Sequence, residues 1–262
     1  MLKKCIGIVS YFPDDIKVRS RRIGRFNELL TSINELWPTL DIVVISQNWK
    51  DYRIPETVSN VKIIKSFEEP LGIIKARNLL REELLKTDYN YVIMLDDDAR
   101  IQCNSPEIAK AYLDALDEHP DGFCFIHSAD HWHTMDDYAR APLNLCAISR
   151  NIYSKEPLPE VSLENNEALE DDVYAVLLHI KYGDFEFNPP EGIYHVHNIR
   201  NQYMKQYTDP RVIPSTWYNL GRRTDFGLIC RNTQRILDYI VEHKDINLEE
   251  IKKNDWEEPR WH

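Results

Sequence analysis

The chain of 262 residues is 43% hydrophobic and 29% charged, which is ordinary for a soluble globular protein with a sizeable core. The formal net charge of −11 argues against bulk binding to nucleic acid, and no apolar stretch reaches the roughly 20 residues that cross a bilayer. The five cysteines lie singly without a CxxC pair, so they predict neither a zinc site nor disulfides and favour a cytoplasmic localisation.

Short Val- and Ile-rich runs alternate with amphipathic patterns in the first hundred residues. Strands are predicted over 5–12, 41–47, 61–67 and 91–96, and helices over 23–37 and 73–86. A local basic cluster formed by Arg19, Arg21, Arg22 and Arg25 lies at the start of the first helical pattern. This order predicts an α/β fold with a mixed, mainly parallel central sheet flanked by helices.

The second half continues the alternation with weaker patterns. A helix is predicted over 105–119, with Ser105 as its N-cap and Pro106 at its first position. Further strands are predicted over 123–129, 144–153 and 193–200, and a helix over 169–183. The remainder of the chain has no clear periodicity.

Three consecutive carboxylates, Asp96, Asp97 and Asp98, close the apolar run that begins at Tyr91. Alternation along a strand places Asp96 and Asp98 on one face, at the carboxyl edge of the sheet where α/β folds bind ligands. Two such carboxylates suit a hard divalent cation that also contacts phosphate oxygens. A solvated turn is the alternative interpretation, although unpaired clustered acids are costly beside a buried strand.

The segment 72–101, GIIKARNLLREELLKTDYNYVIMLDDDARI, resembles the core of GT-A fold glycosyltransferases of family 2. In that family an ARN-type helix start precedes an apolar strand that ends in a DxD-type acidic motif. The resemblance implies a nucleotide-diphosphate sugar donor and a Mn²⁺ or Mg²⁺ cofactor held by Asp98. Asp96 would contact the donor ribose or complete the metal shell, and Asp97 would belong to the donor-binding motif.

Further donor-binding residues follow from the resemblance. Arg77 and Asn78 match the ARN pair that faces the nucleotide, and a guanidinium suits phosphate; a helix-surface salt bridge is the alternative for Arg77. Ser10 and Tyr11 occupy the turn after the first strand, where Tyr11 either stacks on the base or fills the core.

The end of the second strand departs from the family pattern. The family places an acidic turn there that reads the base, whereas this chain has Ser46, Gln47, Asn48 and Trp49. Gln47 or Asn48 could still hydrogen-bond a uracil edge, so a UDP-sugar remains the expected donor.

The resemblance also implies a general base for inverting transfer, supplied by an acidic pair that opens a helix ending in glycine. Counting back from Gly183, Asp172 takes the base position and Asp171 the orienting position. Carboxylates at a helix N-terminus also interact favourably with the helix dipole, so a capping role is compatible with this assignment.

Histidines near the last strand are the remaining candidates. In HVHN, His195 and His197 share a face, and the resemblance favours His197 as a third metal ligand, with a core histidine as the alternative. In the segment HSADHWHTMDD, we expect His131, Trp132 and His133 to line the acceptor cleft.

These interpretations give one GT-A domain over 1–205, with a donor half over 1–101 and an acceptor half over 102–205, followed by a C-terminal extension or lid over 206–262. The expected enzyme transfers a hexosyl or pentosyl group to a hydroxyl of a glycan, a protein or a modified nucleobase. One alternative is a nucleotidyltransferase, which would typically have a Gly-rich phosphate loop that SYFPDDIKVRS lacks. The other is a non-catalytic module that binds a nucleotide sugar.

Overall fold

The computed structural model describes residues 1–126, 145–158, 174, 177, 178 and 181–197, with side chains as far as residue 194. The chain divides into two compact units. The first comprises Met1–Ala129, Pro142–Leu158 and Asp184–Asn198, and the second comprises Asp130–Ala141, Pro159–Gly183 and Ile199–His262. Every labelled strand and α-helix below belongs to the first unit. The domain boundary at residue 205 stays a prediction.

The described strands are β1 (Lys4–Tyr11), β2 (Asp41–Gln47), β3 (Val61–Phe67), β4 (Tyr91–Asp96), β5 (Ala99–Cys103), β6 (Phe123–Phe125), β7 (Cys146–Ser149) and β8 (Ile193–His197). Six of them form one sheet in the order β3-β2-β1-β4-β7-β6. The first four in this order run parallel, and β7 runs antiparallel to both of its neighbours. The predicted mixed, mainly parallel sheet is therefore confirmed.

A second, two-stranded sheet pairs β5 with β8 in antiparallel register. The sequence patterns did not predict β5, although its buried positions Ala99 and Ile101 alternate with the exposed Arg100 and Gln102. This alternation is short and directly follows the three carboxylates. The consequence is that Asp97 and Asp98 form a tight turn between two strands.

The described α-helices are α1 (Ile16–Leu36), α2 (Ile73–Leu85), α3 (Pro106–Glu118) and α4 (Arg150–Tyr153), and Gly183–Phe185 forms one 3-10 turn. Helix α1 begins at Ile16 rather than Ile23, because the Asp15 carboxylate caps it by accepting from the backbone N–H groups of Lys17 and Val18 at 3.0 and 2.9 Å. The predicted N-cap of α3 is confirmed, since the Ser105 hydroxyl accepts from the Ile108 N–H at 3.4 Å.

The strand predicted over 144–153 is wrong in its second half. Strand β7 ends at Ser149, which pairs with Tyr91, the first residue of β4. Past that point β4 offers no further backbone partner, and the chain turns into α4. The Arg150 guanidinium then donates to backbone carbonyls near the end of α2, including that of Thr87 at 2.7 Å.

Helices cover both faces of the larger sheet. On one face, α1 and α3 pack together with alternate residues of β1, β2 and β4 in the main hydrophobic core. The Trp37 indole N–H at the end of α1 donates to the Ala109 carbonyl of α3 at 2.8 Å. On the other face α2 lies so close to Gly7 that a Cβ there would stand 3.1 Å from Leu80 and 2.9 Å from Val92. Gly7 therefore permits the close approach of α2.

Several predictions fall wholly or partly outside the described residues. Within the helix predicted over 169–183, Tyr174, Leu177 and Leu178 are helical, while the opening of that helix at residues 170–172 is outside the described part. Among the described residues, no helix is long and apolar enough to cross a membrane. The four cysteines in this part of the chain are free thiols.

Candidate functional site

The carboxyl ends of β1 and β4 meet at the acidic turn. The parallel register pairs Val9 with Asp96, so Ser10 and Tyr11 continue alongside the turn that follows β4. This edge is the place where α/β sheets bind ligands. The carboxyl end of β1 and the three carboxylates therefore lie next to each other, as we expected from the sequence.

Asp97 is the buried centre of this turn, with 2% of its surface exposed. Its Oδ2 accepts from the Tyr11 backbone N–H at 2.9 Å, and its Oδ1 accepts from Arg22 Nε at 3.2 Å and Nη2 at 2.8 Å. Burial raises the pKa of the Asp97 carboxyl, and the Arg22 guanidinium opposes that shift. Asp97 thus ties together β1, α1 and the turn, and both of its oxygens have protein partners.

Asp98 lies beside the same helix but in looser contact. Its Oδ2 is 3.7 Å from Arg22 Nη2 and 4.0 Å from Arg25 Nη1, distances typical of ion pairs and longer than hydrogen bonds. Burial would lower the pKa of Arg22, but attraction to Asp97 and Asp98 outweighs it and raises that pKa, so Arg22 stays cationic.

Asp96 is paired from the opposite side, by helix α2. Arg77 Nη2 donates to Asp96 Oδ1 at 2.6 Å, and the Arg77 side chain is 5% exposed against 26% for Asp96. Arg77 therefore does form an ion pair, but its guanidinium is buried, and the pair is not the exposed helix-surface salt bridge considered above. Arg77 and Tyr11, both predicted to bind the donor, contact the acidic turn from two different elements.

The expected metal site can be tested against this geometry. Within the described residues, no group of three or more His, Cys, Asp or Glu side chains is arranged to hold a metal ion. Asp98 and Asp96 nevertheless supply two carboxylates, and β8 pairs His197 with Ala99, directly after Asp98. The side chain of His197 lies outside the described part. Asp96 contacts α2 and Asp98 contacts α1, and these helices lie on opposite faces of the sheet, so the expectation that the two carboxylates share one face is wrong. Binding of a metal ion by Asp96, Asp98 and His197 stays a prediction.

Two predicted donor-binding side chains are buried and bonded within the protein. The Ser10 hydroxyl accepts from the Trp49 indole N–H at 3.0 Å, and Gln47 Oε1 accepts from the Leu71 backbone N–H at 2.6 Å. These bonds hold the loops after β2 and β3 against the strand ends. Donor binding by Ser10 and Gln47 stays a prediction.

Asn48 follows β2 in the left-handed conformation, with φ at 54°. Its Nδ2 donates to the Phe12 carbonyl at 2.8 Å and to Asp14 Oδ1 at 3.1 Å. Its Oδ1 is buried and has no hydrogen-bond partner among the described residues. Asn48 thereby closes the loop after β1 onto the loop after β2.

Asn78 contacts a different part of the chain from its neighbour Arg77. Its Nδ2 donates to the Leu158 carbonyl at 2.9 Å, and its Oδ1 accepts from the Leu158 N–H at 2.8 Å. Leu158 is the last residue of the first unit before the chain enters the second. The Asn78 side-chain amide is therefore hydrogen-bonded to the backbone of Leu158. Donor binding by Asn78 stays a prediction.

The remaining predicted site residues lie outside the described part of the chain. They are Asp171, Asp172, His131, Trp132 and His133. Conversely, Arg22 and Arg25 were recognised only as members of a basic cluster. Their i, i+3 spacing was the available signal, since it places both on one face of a helix.

Comparison with known proteins was made by sequence and by structure. No family model matches the sequence, and no curated protein matches it. Among solved structures, the mannosyltransferase PcManGT from Pyrobaculum calidifontis, in complex with GDP-Man and Mn²⁺, has a TM-score of 0.51 at 13% identity, covering 77% of this chain and 58% of that one. This chain thus spans less than two thirds of PcManGT.

Two further structures have lower scores. TarS from S. aureus in complex with UDP-GlcNAc has a TM-score of 0.49 at 13% identity, covering 74% of this chain and 58% of that one. A cytidylyltransferase from Leptospira borgpetersenii has a TM-score of 0.41 at 11% identity, covering 73% of this chain and 78% of that one.

The sheet defines an α/β protein whose parallel strands β1 and β4 end at one edge, beside the acidic turn. More narrowly, its fold is of the GT-A type, and at 13% identity the similarity to PcManGT shows the fold alone. The predicted fold class is therefore confirmed.

Proposed function

We propose that this chain is a metal-dependent glycosyltransferase, which moves a hexosyl or pentosyl group from a nucleotide-diphosphate sugar to an acceptor hydroxyl with inversion. One observation carries the proposal: the turn at Asp97 and Asp98 is bonded to the end of β1 through Tyr11, and Asp96 is bonded to α2 through Arg77. The GT-A fold supports it, since the similar PcManGT structure contains GDP-Man and Mn²⁺.

On the donor side, Asp98 and Asp96, with His197, would hold Mn²⁺ or Mg²⁺. That cation, when bound, supplies positive charge for the leaving diphosphate. Arg77 lies against Asp96, where its guanidinium can also meet a phosphate oxygen. Asp97 keeps the turn in place through its bonds to Tyr11 and Arg22.

The nucleoside would lie along the ends of β1 and β2. Tyr11 offers a ring for base stacking, and Ser10 and Gln47 fix the neighbouring loops through their buried hydrogen bonds. A UDP-sugar is the first donor to test. In the same proposal Asn78 positions the chain at Leu158.

On the acceptor side, Asp172 is the proposed general base and Asp171 its orienting neighbour. A base must reach the attacking hydroxyl directly or through one water, so geometry decides between neighbouring acids before pKa does. The acceptor is a glycan, a protein or a modified nucleobase.

The test is to incubate the full chain with Mn²⁺ and a panel of UDP-, GDP- and CDP-sugars, and to measure release of the nucleoside diphosphate. We expect one donor to be turned over, and an inverted anomeric configuration in the product. Retained configuration would exclude inversion. Release of pyrophosphate from a nucleoside triphosphate and a sugar phosphate would instead show a nucleotidyltransferase. Binding of a nucleotide sugar without any turnover would show a binding module.

The proposed base has its own test. Asp172→Asn should lower turnover by about a hundredfold or more while donor affinity changes little, because a general base acts on the chemical step. Asp171→Asn should have a smaller effect. Transfer by Asp172→Asn at the wild-type rate would place the base elsewhere, with Glu170 or Asp171 the next residues to substitute.

A further inference from the structure

Arg19 lies in the first turn of α1 and donates to three backbone carbonyls in two loops. Its Nη1 donates to the Phe12 carbonyl at 3.2 Å and to the Asn48 carbonyl at 2.9 Å, and its Nη2 donates to the Lys50 carbonyl at 2.5 Å. Phe12 is the first residue after β1, and Asn48 is the first residue after β2. One guanidinium therefore joins the chain segments that leave two adjacent parallel strands.

The position of Arg19 is unfavourable for the helix itself. The N-terminus of a helix carries partial positive charge, which repels a cation, and the first turn of α1 contains no acidic residue. A planar guanidinium presents several donors in fixed directions, so it can serve three carbonyls at once. Its Cζ also lies 5.8 Å from the centre of the Phe12 ring. These contacts favour a role in joining the two loops over a role in helix stability.

A second side chain supports the same junction. Asn48 Nδ2 donates to the Phe12 carbonyl at 2.8 Å, so this carbonyl accepts from both side chains. Asn48 has a left-handed backbone, with φ at 54°, and in this conformation its own carbonyl accepts from Arg19. The spacing of the two loops is therefore fixed by two side chains that share one acceptor.

The joined loops flank the residues that the proposed function assigns to the nucleoside. Tyr11 directly precedes Phe12, and Trp49 of the second loop donates to the Ser10 hydroxyl at 3.0 Å. A ligand that binds preformed loops does not have to order them, so its affinity is higher. The acidic turn is held by other arginines, so loss of Arg19 would loosen the nucleoside end of the site and leave the acidic turn in place.

We propose that Arg19 is a positioning residue for donor binding, which preorganises the loops after β1 and β2 to receive the nucleoside. This inference rests on the proposed function and adds to it a residue that raises donor affinity without touching the reacting atoms. Loss of Arg19 should therefore change KM for the donor and the affinity for a nucleoside diphosphate, and should leave the chemical step nearly unaltered.

The experiment compares Arg19→Gln with the wild type in the full chain. Calorimetry measures the affinity for UDP at saturating Mn²⁺, with GDP and CDP run alongside, and steady-state kinetics gives KM and kcat for the donor that is turned over. We expect Arg19→Gln to weaken nucleoside diphosphate binding and raise KM by about tenfold, with kcat within about twofold of the wild type. A purely structural role would lower the free energy of unfolding in urea and leave KM and affinity of the folded variant unchanged.

Two further variants separate geometry from charge. Arg19→Lys keeps the positive charge but has a single nitrogen in place of the planar fork, so it should recover only part of the lost affinity. Arg21→Gln makes the same change of net charge on the same helix, but Arg21 is exposed, so affinity and KM should stay at the wild-type values. Full recovery in Arg19→Lys, or an equal loss in Arg21→Gln, would overturn the inference, since charge alone would then explain the effect.

The outcomes distinguish the positioning role from the proposed function. If the wild type binds and turns over a donor but folded Arg19→Gln has the wild-type affinity and KM, the positioning role is wrong and the proposed function stands. If Arg19→Gln does not fold, Arg19→Lys decides, because a raised KM at unchanged kcat supports the role and a wild-type KM overturns it. If the wild type binds no nucleoside diphosphate, the proposed function fails and the inference fails with it.

Discussion

The two ends of β1 and β4 carry the same kinds of charged residues in different arrangements. At the amino ends, Lys4 Nζ lies 2.7 Å from Asp117 Oδ1, and Lys3 Nζ lies 2.6 Å from Asp88 Oδ1. At the carboxyl ends, Asp98 is shared between two arginines at 3.7 and 4.0 Å. Charge pairs at one end are closed by hydrogen bonds, and at the other end one carboxylate remains in longer contacts.

This difference separates two uses of buried charge. A closed pair in which Lys4 is 6% exposed satisfies its own groups and contributes to folding. A carboxylate with long contacts to arginines is neutralised without being fully coordinated, so it can exchange partners. Of the three carboxylates in the acidic turn, Asp98 therefore has the longest contacts, whereas Asp96 and Asp97 are hydrogen-bonded to arginines.

The largest effect that would sharpen this contrast is expected from Asp98→Asn. It should weaken Mn²⁺-dependent binding of a nucleoside diphosphate by at least about a hundredfold, because it removes negative charge from the cation site. The free energy of unfolding should fall by about 1 kcal/mol, less than for Asp97→Asn, because Asp98 is buried and its ion pairs with Arg22 and Arg25 are longer than hydrogen bonds. Calorimetry and urea unfolding of one preparation test both claims, and unchanged nucleotide affinity would contradict the metal assignment.

Asp97→Asn should affect both binding and stability. The substitution keeps the shape of the side chain but leaves Arg22 without its hydrogen-bonded carboxylate, at a cost of about 2 kcal/mol in unfolding free energy. Nucleotide binding should weaken as well, because the end of β1 loses its charged acceptor at Tyr11. If Asp97→Asn were as stable as the wild type, the Asp97–Arg22 ion pair would not contribute to folding. The two ends of the sheet would then differ in every charged pair.

Lys4→Met tests the opposite end. Loss of one partner of the pair with Asp117 should lower the free energy of unfolding by roughly 1–2 kcal/mol, because Asp117 is partly exposed and regains water. Metal and nucleotide binding should stay at the wild-type values. Altered nucleotide affinity in a folded Lys4→Met protein would break the division between the two ends.

The smallest expected effect is the pH dependence of the stability contributed by the Lys4–Asp117 pair. Burial opposes ionisation of Asp117, but hydrogen bonds from Lys4 and from the Leu2 N–H outweigh it and lower the pKa of Asp117. A lowered folded-state pKa gives stability that is present above the unfolded value of about 4 and is lost as pH falls through the folded value. The stability difference between wild type and Lys4→Met should therefore be constant from about pH 7 to 5 and shrink below about pH 4. A difference independent of pH would show that the two groups do not form a working ion pair.

Strong periodicity explains which elements the sequence predicted well. Strands β2, β3 and β4 have the predicted bounds, because each is a short apolar or β-branched run with clear flanking turns. The first turns of α1 were missed because their residues are mostly polar or basic and show no apolar stripe. The two short elements β5 and α4 depend on tertiary partners, which are β8 and the beginning of β4.

The site was predictable as far as strand order determines it. Parallel strands end at one edge, so proximity of Tyr11 to the acidic turn followed from the topology. The contacts of Arg22 and Arg25 depend on how α1 is rotated about its axis over the sheet. The apolar pattern that would predict this rotation begins only at Ile23, so the sequence did not show which way the first turns of α1 face. The hydrogen bonds of Ser10 with Trp49 and of Gln47 with Leu71 depend on loop conformations, which leave no periodic pattern in the sequence.

The amide of Asn78 also has a mechanical consequence. Residues 77 and 78 belong to one turn of α2, and one grips Asp96 while the other grips both backbone groups of Leu158. Adjacent residues of one helical turn therefore bind the acidic turn and the last residue of this stretch of the first unit, so Arg77→Ala and Asn78→Ala would remove two different anchors of the same helix.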